Sequence, residues 1–488
     1  MPSAGRIRRV VSEEGSRPGT GGAPPAPGRQ RRSYNRDWTQ GSIAKNVLLL
    51  ASPVIMGNVV NQFDMVVDMV WVARLGAEAV AGVGVAGTMV MVLSMFRMGI
   101  TVGQRAMVAR AVGADNMEAA DHATTQALLL NFIYAAFVII AGVMLAEHMM
   151  RLMGVEPEVA RQGANYMRIQ MFGQAAMSFR MMGDASMQAS GDTVTPMKII
   201  TTQRALHIVL APLLIFGWGF FPRLEVSGAA LANTMAAGVG AAASMWVLTS
   251  GRTRVHIRLT RRFNRSTIWE MLRIGLPAGI NSAERSIART FITRILTTFG
   301  TYGVAAHTVA VRIESLTELG SQGLGQAAGV MVGQNLGAGR PDRSYRSAWT
   351  ALGLGAIVNT ILAVLVIWKA ESIIRIFSSD PELVRIATLY LRVRAADFVS
   401  MCGASVFSQA LNTAGDTIPV MASSIATLWG IELPLAYFLP RITGWGIYAV
   451  AVANVICNTV RVILYMSFFQ WGKWKEKRIR IEGREVRR

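Results

Sequence analysis

The sequence predicts an all-α integral membrane protein, with twelve transmembrane helices in two pseudo-symmetric six-helix lobes. Three observations predict it. Hydrophobic residues make up 52% of the 488-residue chain and charged residues only 16%, against about 25% charged residues in a soluble domain. Apolar segments of spanning length, roughly 20 residues, recur along nearly all of it. The chain also repeats itself at a constant offset of 224. Pro53 answers Pro277, Gly113-Ala114 answers Gly337-Ala338, Glu147 and Arg151 answer Glu371 and Arg375, and Gly191-Asp192-Thr193 answers Gly415-Asp416-Thr417. Two fused hydrophobic halves are a hallmark of secondary transporters, and they place the substrate route between the halves.

In chain order, residues 1–42 form a basic tail rich in Gly and Pro without an apolar run, which predicts disorder and no cleavable signal peptide. The first half, 43–250, holds segments at about 43–73, 78–110, 122–146, 160–189, 194–217 and 226–250. A basic linker, 251–266, follows. The second half, 267–470, holds segments at about 267–298, 302–335, 346–368, 383–413, 417–439 and 445–470, and a basic tail closes the chain at 471–488. Pro53 and Pro277 open the first helix of each half. Pro212 and Pro434 sit inside the fifth, where proline frees a carbonyl and permits a bend. The glycine runs Gly82-Val-Gly84 and Gly320-Ser-Gln-Gly323-Leu-Gly325 favour close helix packing.

Twelve spans put both termini and the linker on one side. All three blocks are basic, within a net charge of +20, so the positive-inside rule places that side in the cytoplasm of a plasma (inner) membrane. Anionic headgroups are then their contacts. No aromatic residues interleave a basic stripe on a folded domain, which argues against nucleic acid as a partner.

An ionised side chain at the bilayer centre costs about 2.5–3.5 kcal/mol on insertion scales, so each one marks a polar cavity or an ion pair. Asn61, Asp64 and Asp68 recur at spacings of three and four, near one face of the first helix. Two carboxylates one turn apart can share, load and release a proton. The competing reading pairs one of them with an internal arginine such as Arg97. His207, five residues before Pro212, titrates in the physiological range and matters if it meets Asp68. Asp184, with Gln188 one turn on, lines the lobe interior or approaches the end of the fourth helix.

The second half carries Glu284, Glu314, Glu318, Asp397 and Glu432, with Arg285, Arg289, Arg294 and Arg312 as candidate ion-pair partners. The repeat does not duplicate these acids: Asp68 answers Ile292 and Glu314 answers Val90. A shared scaffold with unshared charges predicts lobes with different tasks. The 28 methionines, Met89, Met91 and Met95 among them, suit ordinary packing or a surface that accepts varied apolar ligands. Cys402 and Cys457 lie in apolar segments and read as core thiols. No His-Glu-x-x-His, cysteine cluster or Gly-x-Ser-x-Gly context occurs, so no enzyme chemistry, metal site or cofactor is expected.

The runs Val67-Asp68-Met-Val-Trp71-Val-Ala-Arg-Leu75-Gly76, Arg312-Ile-Glu314-Ser-Leu316 and Val332-Gly-Gln-Asn-Leu-Gly-Ala-Gly339, with the paired Gly-Asp-Thr turns, resemble the multidrug and toxin extrusion (MATE) family. The resemblance covers about 43–470. It implies a V-shaped pair of lobes, acting as a single copy, that alternate access and export cationic or amphipathic drugs or metabolites against inward H+ or Na+. Asp68 falls on the ion-coupling acid of one branch, and Asn233 resembles a polar position of the same cluster. That branch also has Asn and Asp where this chain has His207 and Ala211. The change removes a carboxylate and installs a titratable ring, which favours H+ over Na+, since a hard cation is best held by oxygen ligands. Glu284 approximates an acid of another branch, while Asp397 lies a turn before that branch's acid, where Met401 stands. A flippase for lipid-linked precursors shares this layout, and Arg97, Arg289, Arg294 and Arg312 would suit its phosphate.

Overall fold

The computed structural model describes residues 36–75, 96–152, 157–218, 221–257, 263–481 and 484–485. Most of the predicted disordered tail, the first part of the second segment with Gly82-Val-Gly84, and Met89, Val90, Met91 and Met95 lie outside the described residues. The helices are α1 (Ile43–Ala73), α2 (helical over 96–113), α3 (Met117–Leu152), α4 (Pro157–Ala189), α5 (Val194–Phe216) and α6 (Glu225–Thr249) in the first half. The second half holds α7 (Arg265–Thr297), α8 (Gly300–Gly337), α9 (Pro341–Phe377), α10 (Pro381–Ala395), α11 (Phe398–Ala414), α12 (Thr417–Thr427), α13 (Leu433–Thr443) and α14 (Ile447–Trp471). Counting α10–α11 and α12–α13 as one span each gives twelve.

Among the described residues seven spans are both long and apolar enough to cross a bilayer on composition alone. The long helices α4, α7 and α8 fall outside that set because polar and charged side chains interrupt their apolar faces. Two predicted spans are broken. The tenth interrupts at Ala396-Asp397, where both backbone N–H groups turn back three residues to Val393 and Arg394. The eleventh passes through a π turn, Leu428–Glu432, just before Pro434. Proline has no N–H to give, and the widened turn accommodates the loss.

α3 and α9 extend past their predicted apolar limits. Their ends carry the repeated charges as exposed ion pairs one turn apart, Glu147–Arg151 at 2.6 Å and Glu371–Arg375 at 2.8 Å. The Gly-Asp-Thr turns are equivalent too. Gly191 (φ 95°) and Gly415 (φ 86°) adopt the left-handed conformation that glycine takes without strain. Trp38 packs against the first and Ile479 against the second.

The halves meet at the end carrying both termini, through backbone contacts that only glycine permits. A Cβ on Gly113 would lie 2.0 Å from the Gln334 carbonyl oxygen, and one on Gly337 would lie 2.1 Å from that of Arg110. Across the same junction Arg110 donates to the Ala414 carbonyl at 3.0 Å and Gln334 to that of Ala189 at 2.7 Å. The first half of α1 crosses over: Val47, Leu50 and Ala51 are buried in a core built from α8, α9, α11 and α14. Its second half packs against α5 and carries the acids.

Candidate functional site

α1 and α5 lie side by side in one register. Gly57 brings α1 close enough that a Cβ there would sit 3.3 Å from Ile200 Cγ2. Seven residues further along both helices, Asp64 meets His207. Asp64 is buried, and each of its oxygens is claimed: Arg204 Nη1 donates to Oδ2 at 2.9 Å, and His207 Nδ1 lies 2.7 Å from Oδ1. Asp68, one turn on, falls level with the small buried Ala211 and keeps a third of its side chain exposed. Its Oδ1 stands 3.7 Å from His207 Nε2, and both atoms are buried without a hydrogen-bond partner.

The chemistry of this arrangement follows from the ring. A neutral imidazole carries one N–H. If Nδ1 gives it to Asp64, Nε2 turns a lone pair toward a carboxylate oxygen. Two acceptors then face each other just beyond hydrogen-bond length, and one proton would join them. Arg204 already balances Asp64, so the open pair takes a single proton.

The sequence anticipated that His207 would matter if it met Asp68, and the structure brings Asp64, Asp68 and His207 together. The arginine on Asp64 is Arg204 and not Arg97, which donates to Gln174 at 2.9 Å. Arg204 was legible in principle: it precedes His207 by three, hence shares its helix face. Asn61 and Asn233 are half-buried, and neither hydrogen-bonds to the three groups. Asp184 pairs with Arg180 one turn before it. Both line a cavity of about 150 Å³ between α1, α2, α4 and α5, together with Arg105, Gln188 and, from α8, Gln326.

The second half holds a different network. Glu314 takes a two-pronged ion pair from Arg394 in α10, both buried. Asp397, at the break between α10 and α11, accepts from Asn458. Glu432, in the π turn, accepts from Asn454 at 2.7 Å and lies 4.0 Å from Arg461. Arg461 also donates to the Thr427 hydroxyl at 3.0 Å and to Asn458 at 2.8 Å. Glu284 accepts from Ser424 at 3.2 Å. The arginines that answer these acids are therefore Arg394 and Arg461. Arg285, Arg289, Arg294 and Arg312, the partners expected from the sequence, are exposed on other helix faces. Sequence spacing held a signal here too, since Arg394 precedes Asp397 by three.

A family model described as MatE matches the chain twice, over residues 53–213 and 277–438, well over half its length. The matches begin 224 residues apart, the offset of the internal repeat. The probable multidrug resistance protein YoeA of Bacillus subtilis (strain 168) is 25% identical over 446 residues, covering 90% of this chain and 96% of its own. A protein of Shewanella oneidensis described as an FAD transporter is 26% identical over 396 residues, covering 81% and 87%. Among solved structures, a MOP superfamily transporter from Pyrococcus furiosus superposes with a TM-score of 0.82 at 25% identity, over 89% of this chain and 96% of that one. With the same twelve-span, two-lobe fold and both halves matched by one model, the chain belongs to the MatE family of multidrug efflux transporters.

Proposed function

We propose that the chain is a proton-driven antiporter of the plasma membrane, with both termini in the cytoplasm, that exports amphipathic drugs or metabolites through the cleft between its lobes. The observation that carries the reading is the open pair His207 Nε2 and Asp68 Oδ1, unpartnered and 3.7 Å apart. Asp68 is its exposed member and receives the proton. Shared between the two atoms, that proton draws α1 toward α5. The first half of α1 is embedded in the other lobe, so the movement is delivered directly to the junction between lobes. Emptying the site on the cytoplasmic side reverses it. Such coupling needs differential affinity for the two states, which the change in α1 packing supplies.

H+ is favoured over Na+ because the site presents a single open carboxylate, that of Asp68, and an imidazole, with a guanidinium 2.9 Å from the other acid. A hard cation is held by several oxygens. The names of the relatives span drug resistance and FAD transport, and export of an amphipathic compound is the reading that accommodates both.

The test is transport by the full chain in proteoliposomes, with ΔpH and a Na+ gradient imposed separately. Transport driven by ΔpH alone and lost in Asp68→Asn is the expected result. Transport driven only by Na+, or ΔpH-driven transport that survives Asp68→Asn, overturns the proposal.

A further inference from the structure

The surface of the cleft has a sign. Along α7, Glu284, Ala288 and Ile292 recur on the buried face, and Ile280, Ile287 and Phe291 form an exposed apolar stripe suited to lipid. At 100° per residue, Arg285 and Arg289 fall on neither apolar stripe but on a third face, with Ser282, Ser286 and Thr293. Arginine against hydrocarbon costs about 2.5–3.5 kcal/mol on insertion scales, so this polar face turns to the cleft. On α8 the exposed Thr308, Arg312 and Gln322 share a face with the half-buried Ser315, and the exposed Leu316 borders it. Gln326, one turn on, fixes its direction, because it lines a cavity with Asn58 and Arg105 of the other lobe.

α7 and α8 run antiparallel from the turn at Phe299-Gly300. Counting equal numbers of residues from that turn sets Arg312 level with Ser286, between Arg285 and Arg289 and ~20 Å along the helices. Among the described residues none of the three has a carboxylate at ion-pair distance, whereas the buried Arg394 and Arg461 both do. Across the cleft, Arg97 and Arg105 donate to glutamine side chains, and Arg105 also stands in the field of Asp184. Among the described residues, Glu284 stands in the field of Arg285, and Glu318 accepts from Gln322 at 3.0 Å. Asp184 is matched by Arg180. Among the described residues the cleft therefore carries more guanidinium than carboxylate, and guanidinium is the group best suited to bind a phosphate, sulfonate or carboxylate through paired N–H donors.

We propose that the cleft takes an amphipathic substrate by an anionic head group, held by Arg285, Arg289 and Arg312. This rests on reading the cleft as the transport route, and it assigns the opposite charge to the substrate from the one the family resemblance implies. Because the anion is held by the second lobe and not by Asp68, its release is set by the rocking of the lobes rather than by competition with the proton.

The experiment uses the full chain in phosphatidylcholine proteoliposomes under ΔpH, with three probes: a fluorescent anilinonaphthalene sulfonate, ethidium as the lipophilic cation, and a short-chain, fluorophore-labelled phosphatidic acid. We expect one or both anions to move and ethidium not to. Arg285→Gln/Arg289→Gln/Arg312→Gln should slow the anion at least ten-fold, mainly through KM, while the triple lysine variant, which keeps the charge but loses the paired N–H donors, should fall between that variant and the parent. All three side chains are exposed, so unchanged thermal unfolding separates this loss from misfolding. Movement of the sulfonate identifies a soluble anion as the substrate, and movement of the labelled lipid alone identifies a headgroup. Anion transport that depends on the arginines but ignores ΔpH removes the proton coupling and keeps this inference. ΔpH-driven ethidium transport, equal in the parent and the triple glutamine variant and without anion transport, keeps the coupling and overturns the inference. So does anion transport indifferent to the substitutions, or no anion moved and no sulfonate bound by the purified chain.

Discussion

Gly275→Ala should open the junction between the lobes. Gly275 lies in the first half of α7 and faces α2 of the other lobe. A Cβ there would lie 2.1 Å from the Gly99 carbonyl oxygen and 2.6 Å from its carbon. Both are backbone atoms and cannot rotate aside. The gap must widen by roughly 1 Å or more to become an ordinary van der Waals contact. Parting the lobes at this end relieves the clash, so the cost falls on the state closed here. Overpacking by one methyl costs about 1–3 kcal/mol. At 1.4 kcal/mol per ten-fold, the closed state loses a factor of about 5 to 150 against the parted one. Spin labels on Glu118→Cys and Arg346→Cys, exposed positions near the junction on α3 and α9, report the separation by double electron–electron resonance in a background with Cys402 and Cys457 replaced. We expect a longer-distance population to grow in Gly275→Ala. Gly353→Ala is the control, since a Cβ at Gly353 meets nothing within 4 Å. Identical distance distributions for the two variants would refute the reasoning.

Other substitutions test the site and the scaffold. Arg204→Leu leaves Asp64 buried beside His207 without its cation, which costs about 3–5 kcal/mol where one partner of a buried pair is removed; thermal unfolding should show the loss, and Arg204→Leu/Asp64→Asn should recover much of it. Glu314→Gln should lower the unfolding midpoint for the same reason, by stranding Arg394. Asp380 caps α10 by accepting from the Glu382 and Leu383 N–H groups. The Tyr302 hydroxyl, donating at 2.9 Å, holds its carboxyl below the usual carboxylate range, together with those N–H groups. The cap is therefore complete above the ordinary carboxylate pKa and is lost as pH falls through the depressed value. Hydrogen-exchange protection in the first turn of α10, after division by the intrinsic rate at each pH, should fall at strongly acidic pH in the parent and already be low at neutral pH in Asp380→Ala.

The helices and the duplication were legible because hydrophobic length and a fixed offset are properties of the chain itself. The family match begins in each half at the prolines that open the repeat, Pro53 and Pro277. The breaks were not legible. A spanning run from 383 to 413 gives no hint that the chain turns at Asp397, whose carboxylate is held by a partner on α14, Asn458. The same holds for the ion pairs. Asp64, Asp68 and His207 could be singled out as polar groups in apolar helices, but which arginine reaches which acid depends on helix rotation and register. Arg204 faces α1 only because Gly57 lets α1 and α5 approach in parallel register. The second-lobe arginines stood close to the glutamates in sequence yet point elsewhere, since neighbours in a helix are 100° apart.

The repeat also explains why one helix per lobe can hold a site and move the other lobe. Val47 and Leu50 of α1 are buried in the second lobe's core, and Met271 and Ile274 of α7 are buried in the first lobe's core. Each pair is related by the offset of 224. Both opening helices thus begin in the opposite lobe and cross into their own after Pro53 or Pro277, a reciprocal exchange inherited from the duplicated half. Beyond the prolines the equivalence ends: Asp64 and Asp68 of α1 correspond to Ala288 and Ile292 of α7, both buried. Either crossing helix could transmit a local change to the junction, since the scaffold is the same. On that half α7 carries one carboxylate, Glu284, held by Ser424, whereas α1 carries the pair Asp64 and Asp68 beside His207. The proposed proton site and the lobe junction share a single element, with Pro53 and Gly57 at its crossing point, and the proposed coupling needs no longer path than that helix.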